Sequence, residues 1–314
     1  MAPRDSTKEG EASVCGIVGI YAKSAAVEAN LGVHLAAMLT QMSDRGPDSA
    51  GVAIYRDPVP VGATKLTLFS ADPRFDWWAL CAELARVFGD SPEPAVRANH
   101  AVVVVDAEPA AIEAWVRDGH PDLRVMSAGS VIEIYKDVGR PEVFVAQFAL
   151  TDLQGSHALA HTRMATESRV TTEGSHPFST GLDLCLVHNG SLSNHNRLRE
   201  RLRREGIEFQ TWNDTEVAAG YLAWRLRDGD SLEQALESCL EELDGFYTFA
   251  VGTADGFAVL RDPIACKPAV LAETDDWVAM ASEYRAIAVL PGAGDARIWE
   301  PEPAVVYYWA TAPV

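Results

Sequence analysis

The chain has 314 residues, 48% hydrophobic and 23% charged, the balance of a globular protein long enough for one large domain or two ordinary ones. With 26 Lys and Arg against 45 Asp and Glu, the formal net charge is -19, which excludes the basic footprint of a nucleic-acid binder. No apolar run approaches the ~18 residues of a membrane span. The five cysteines (Cys15, Cys81, Cys185, Cys239 and Cys266) are widely spaced without a C-x-x-C pair. That argues against a zinc site or a disulfide framework and for a reducing, cytoplasmic setting.

Met1–Val14 is polar, lacks the apolar stretch of a secretory signal, and reads as a disordered arm. Cys15 opens the run Cys15-Gly-Ile-Val-Gly-Ile-Tyr21, whose Gly16–Tyr21 part reads as a buried strand. Leu31, Leu35, Met38, Leu39 and Met42 recur at helical spacing, and Asp44-Arg45-Gly46-Pro47 breaks that helix. Gly51–Tyr55 is a second strand. Residues 72–142 change character: a helix over Trp77–Val87, a β-branched run Ala101–Val105, a helix over Pro109–Arg117, and a return to strand character over Val125–Tyr135. They read as a small α/β insertion without a chemical motif. Strand character is expected to resume at Val143. Val217, Tyr221 and Trp224 mark one helix face, and Leu232, Leu236, Cys239 and Leu243 another, opened by a Ser231/Gln234 capping box. Phe246–Gly252 and Gly256–Arg261 read as a hairpin. Runs of strands and of helices, without strict alternation, point to an α+β layered fold.

Cys15 carries the first chemical signal. Were Met1–Val14 absent, one residue would hold a thiol, with a reference pKa of about 8.5, and a free α-amine of about 7.7–8.0 able to take the thiol's proton. Taken alone, Cys15 reads rather as a small apolar residue starting a buried strand. Four further stretches set polar residues between apolar strands: His161-Thr-Arg-Met-Ala-Thr-Glu167, Ser175-His-Pro-Phe178, Val187-His-Asn-Gly-Ser-Leu-Ser-Asn194 and Asn213-Asp-Thr-Glu-Val217. Each has an ordinary reading as well. Arg163 suits a surface carboxylate, Asn189-Gly190 a type I′ turn, and Asp214 a helix cap.

In order along the chain, Cys-Gly-Ile-Val-Gly, Arg45-Gly-Pro-Asp-Ser-Ala-Gly51, His-Thr-Arg-x-Ala-Thr, His-Asn-Gly and Asn-Asp-Thr-Glu-Val resemble a class II glutamine amidotransferase, an N-terminal nucleophile hydrolase. Arg261-Asp-Pro263, Lys267-Pro268 and Ala281-Ser-Glu283 resemble that family's later core strands. The resemblance covers Cys15 to about Ala71 and Val143 to about Leu290. It implies a four-layer αββα sandwich and the hydrolysis of L-glutamine to glutamate and ammonia through a thioester. It implies Cys15 as nucleophile, with Asn189 side-chain and Gly190 backbone N–H groups as the oxyanion hole. Arg163 would clamp the substrate α-carboxylate, Thr166 would support it, and Asp214 would receive the α-ammonium. His188 and Asn213 border the site as structural residues. Met164 and Glu167 stand where some relatives carry tryptophan and histidine.

The resemblance also implies a use for the ammonia. The Met-Ala-Thr-Glu-Ser variant (164–168) and the insertion are similar to the small amidotransferase subunit of glutamate-synthase-like systems, N-methylglutamate synthase first among them. The expected partner is a flavin and iron–sulfur synthase subunit; neither a flavin nor a cluster ligand set is visible in this chain, and no cofactor is expected in it. Insertion 72–142 is expected to serve as a docking surface. A non-catalytic scaffold and a hydrolase of a different amide are the other readings, and the Arg163/Asp214 pair speaks against the second because it suits an α-amino acid. The free amine at Cys15 requires loss of Met1–Val14, by self-processing or through translation starting at Val14.

Overall fold

The computed structural model describes residues 15–89, 92–164 and 170–310. The leader expected at 1–14 lies outside them. In chain order the elements are β1 (Gly16–Ala22), α1 (Ala25–Ala29), α2 (Leu31–Thr40), β2 (Ser49–Tyr55), β3 (Thr64–Ser70), α3 (Trp77–Phe88), β4 (Ala95–Arg97), β5 (His100–Val105), α4 (Pro109–Gly119), β6 (Leu123–Gly129), β7 (Ile132–Val138), α5 (Pro141–Gln147) and β8 (His157–Arg163). They continue with β9 (Phe178–Gly181), β10 (Leu184–Leu192), α6 (His195–Arg204), α7 (Asp214–Arg227), α8 (Leu232–Glu242), β11 (Gly245–Thr253), β12 (Gly256–Arg261), β13 (Val270–Glu273), β14 (Trp277–Ala281), α9 (Tyr284–Ile287), β15 (Arg297–Trp299) and β16 (Val306–Ala310). No helix among the described residues is long and apolar enough to cross a membrane.

Two antiparallel sheets form the centre: seven strands in the order β15-β13-β14-β1-β8-β2-β7, and five in the order β16-β12-β11-β10-β9. Side chains alternate across a strand, so each central strand feeds two cores. From β1, Ile17 and Tyr21 face the second sheet and meet Cys185, Val187, Ala250 and Val259. Val18 and Ile20 face the other way, onto Leu31, Leu35, Met38 and Leu39 of α2. From β10, Leu184 and Leu186 pack outward on Val217, Tyr221 and Leu222 of α7 and Leu236 of α8. The layers therefore run helix, sheet, sheet, helix. This is the four-layer αββα sandwich expected, and it explains why β1 is buried along its whole length.

A third sheet, in the order β4-β5-β3-β6, is built from a βαββαβ run and is antiparallel throughout. α3 and α4 cover one face, where Trp77, Leu80, Leu84, Ile112 and Val116 meet Leu66, Leu68, Val103 and Val105. This is the ferredoxin-like arrangement. The other face lies on the main body: Phe69 and Met126 join the core between the two large sheets.

This changes the boundaries read from the sequence. The separate sheet starts at Thr64 rather than 72 and ends at Gly129. β7 pairs with β2 in the main sheet. The strand character expected over Val125–Tyr135 is present but divided between two strands in different sheets, and the break has a physical cause. The Asp183 carboxylate accepts the backbone N–H groups of Ser130, Val131 and Ile132 at 2.8–3.0 Å, which takes those donors out of any continuous ladder. The segment from Val143, expected as strand, is helix α5, with Pro141 in its first turn. The Ser231/Gln234 capping box forms with both of its hydrogen bonds.

Candidate active site

Cys15 enters β1 at the point where the two large sheets come together, and it is partly buried. Its neighbour Gly16 pairs with Thr162 of β8, one step short of Arg163. Three side-chain groups reach its main-chain carbonyl. Asn189 Nδ2 donates at 3.1 Å, and Arg45 Nε and Nη2 donate at 3.4 Å each. Arg45 is held in turn by an ion pair with Glu283. Ser282 Oγ accepts the backbone N–H of Ile17, two residues on, at 3.0 Å. The first residues of β1 are thus fixed from both sheets. Gly46 owes its place to crowding, since a Cβ there would lie 2.4–2.5 Å from the backbone joining Thr162 to Arg163.

Asn189 and Gly190 are interior residues of β10, opposite Thr248 and Tyr247 of β11, so the Asn-Gly pair does not form a hairpin turn. Gly190 has φ of +151°, and a Cβ would lie 2.0 Å from the Phe246 carbonyl and 2.8 Å from His188 Nε2. No other residue fits there without moving the strand. Asn189 is 3% exposed and keeps one amide hydrogen beyond the one given to Cys15.

Arg163 ends β8. Its Nη1 donates to the Gly174 carbonyl at 3.0 Å, and Asn213 Nδ2 approaches the same oxygen at 3.4 Å. Asp214 begins α7. The helix cap is its neighbour Asn213, whose side chain accepts the Thr215 N–H, and not Asp214 itself. Asp214 Oδ2 accepts the Leu192 N–H at 3.0 Å, tying the helix to the end of β10. Thr166 and Glu167 lie outside the described residues. Cys15, Asn189, Gly190, Arg163 and Asp214 are therefore linked through the ends of β1, β8 and β10 and the start of α7.

Beneath this group lie three buried histidines. His161 Nε2 donates to the His188 carbonyl at 3.1 Å, so its proton is on Nε2. Thr215 Oγ1 bridges His188 Nδ1 and His176 Nε2, each at 2.9 Å. A hydroxyl carries one hydrogen, so at least one of those ring nitrogens is itself the donor. Burial pushes all three rings below the usual imidazole value, His161 to about 3. They are neutral props for the site. His188 and Asn213 were expected to border it, and they do; the His176 contact through Thr215 had no signal beyond the Ser-His-Pro-Phe stretch.

Sequence reading also passed over Lys136 and Arg199. Arg199 is 1% exposed and donates to the Thr211 and Asn213 carbonyls at 2.6 and 3.0 Å, fixing the approach to Asp214. An arginine in the run Asn196-Arg-Leu-Arg-Glu200 reads as a solvated helix face; only the fold turns one of the two inward. Among the described residues no group of three or more His, Cys, Asp or Glu side chains could hold a metal ion.

Residues 161–289 match the family described as glutamine amidotransferase domain. The chain is 56% identical over 297 residues to the glutamine amidotransferase-like protein GlxB of Rhizobium meliloti (strain 1021), covering 94% of this chain and 98% of that one. It is 37% identical over 147 residues to glutamine–fructose-6-phosphate aminotransferase (isomerizing) of Methanosarcina mazei, covering 44% of this chain and 24% of that one. Among solved structures it is similar to glutamine phosphoribosylpyrophosphate amidotransferase from B. subtilis, with a TM-score of 0.60 and 20% identity. That match covers 94% of this chain and 47% of the other, so this chain spans about half of that protein, and the likeness is one of fold.

Proposed function

The chain belongs to the class II glutamine amidotransferases, and from that premise we propose that it hydrolyses L-glutamine to glutamate and ammonia by way of a Cys15 thioester. The Cys15 sulfur adds to the side-chain amide carbon, and the α-amine of a processed Cys15 passes the thiol proton to the departing ammonia. Water activated by that amine then cleaves the thioester to glutamate. Splitting amide hydrolysis in two is covalent catalysis. The second Asn189 amide hydrogen and the Gly190 N–H would stabilise the tetrahedral oxygen. Arg163 would take the substrate α-carboxylate, with Thr166 in support, and Asp214 the α-ammonium through the oxygen not given to Leu192.

One observation carries this reading: the hydrogen bond from Asn189 to the Cys15 carbonyl, which joins the two sheets where nucleophile and oxyanion donor must meet. The reaction needs a free amine, whereas in the full chain a peptide bond joins Cys15 to Val14. Ammonia release from glutamine by protein whose intact mass begins at Cys15 is the direct assay. Cys15→Ala should abolish it, and full activity in that variant would remove the mechanism.

The ammonia is proposed to serve a glutamate-synthase-like partner with flavin and iron–sulfur centres, N-methylglutamate synthase leading, in the cytoplasm. The Met164–Ser168 variant supports this system, and the five cysteines, all free, suit a reducing compartment. The outer face of α3 and α4 in the ferredoxin-like unit is proposed as part of the docking surface, with Trp78 exposed on it.

A further inference from the structure

Lys136 lies in β7 opposite Gly51 of β2, and it is 4% exposed. A Cβ at Gly51 would come within 2.6 Å of the Lys136 Cβ and 2.1 Å of the His176 carbonyl. The missing side chain thus opens the space in which the lysine and the 173–177 segment pack together. The ammonium has three hydrogens and three acceptors, all main-chain carbonyls: Glu173 at 3.1 Å, Ser175 at 2.9 Å and Pro177 at 3.1 Å. It also lies 4.5 Å from the centre of the Phe178 ring. Glu173, Glu216, His176 and His100 are the titratable groups that act on it electrostatically. Within the same five residues, the Gly174 carbonyl takes Arg163 Nη1 and Asn213 Nδ2.

We infer that Lys136 is a positioning residue for glutamine binding. It draws in the carbonyls of Glu173, Ser175 and Pro177, and so fixes the Gly174 carbonyl that orients the Arg163 guanidinium. A buried ammonium with no acid in hydrogen-bond contact is costly, and it is stable here because the three carbonyls replace its hydration. The same cation therefore locks a loop that contains no regular structure of its own. The inference rests on Arg163 receiving the substrate α-carboxylate.

Lys136→Met keeps an unbranched side chain, one atom shorter, and removes its N–H donors. In processed protein it should raise KM for glutamine at least tenfold while kcat stays within about threefold. Iodoacetamide needs no carboxylate clamp, so its rate of alkylating Cys15 should not change. The glutamine concentration that protects Cys15 from it should rise by the same factor as KM. Lys136→Arg, which restores N–H donors, should recover most of the affinity, and Lys136→Gln should fall between. A folded Lys136→Met with KM within twofold of the parent overturns the inference, as does slowed alkylation with kcat and KM lost together. Should Lys136→Met not fold, parent-like KM in Lys136→Gln overturns it equally. A parent that neither binds nor hydrolyses glutamine overturns the functional reading and this inference with it; an active parent beside a parent-like variant overturns this inference alone.

Discussion

Asn189 shows how much one side chain is asked to do. One amide hydrogen goes to the Cys15 carbonyl, which leaves a second on the same nitrogen. With that second hydrogen as the proposed donor to the developing oxyanion, Asn189→Ala should lower kcat by about 10²–10³-fold, the usual effect of losing one such donor, with KM little changed. Steady-state glutaminase kinetics on the processed protein give both numbers. A kcat within threefold of the parent would leave the Gly190 N–H as the proposed donor. Asp214 is divided in the same way, since one oxygen is committed to Leu192 and a substitution there disturbs the end of β10 as well as any bound ammonium.

At the scale of elements, a single carboxylate decides where one sheet stops and another begins. Asp183 sits at φ of +50°, which Asp and Asn tolerate better than most residues, and accepts three backbone N–H groups and the Ser130 hydroxyl. Those bonds separate β6 of the ferredoxin-like unit from β7 of the main sheet. Asp183→Ala should cost about 2–4 kcal/mol of stability, the range for losing charge-assisted hydrogen bonds to donors left partly buried. Asp183→Asn keeps an acceptor and the backbone preference, so it should cost less than Ala. Urea denaturation of the three proteins ranks them, and equal midpoints for Ala and the parent would remove this role.

For the whole molecule, the interior holds five histidines in their neutral form. Burial lowers His100 and His161 to about 3 and His157 to about 4, and depresses His176 and His188 as well. An unfolded histidine titrates near 6.5. Between that value and the folded one the unfolded chain binds more protons, so stability is full above about pH 6.5 and is lost as pH falls toward 4. A drop from 6.5 to about 4 at His157 alone corresponds to roughly 3 kcal/mol. Thermal unfolding between pH 7.5 and 4 should show a steadily falling Tm. His157 stacks on Tyr55 at 4.1 Å and bonds the Thr253 carbonyl across the sheets, so His157→Gln should flatten that fall while lowering Tm at neutral pH.

The sequence by itself determined the layered α+β class, the central strands and the main helices, and it singled out Cys15, Arg163, Asn189, Gly190 and Asp214 as the proposed chemical residues. It could do so because hydrophobic period is local, and because motifs with fixed glycines and polar residues are written in consecutive positions. Only the tertiary structure decided where strand 125–135 breaks, that residues 64–129 form their own βαββαβ layer, and that Lys136 and Arg199 turn inward. Each of those depends on a partner far along the chain: Asp183 on the turn at Ser130, the 173–177 carbonyls on Lys136, and Thr211 and Asn213 on Arg199. A buried cation looks the same in sequence as a solvated one; it is the arrangement of distant carbonyls around it that makes burial possible.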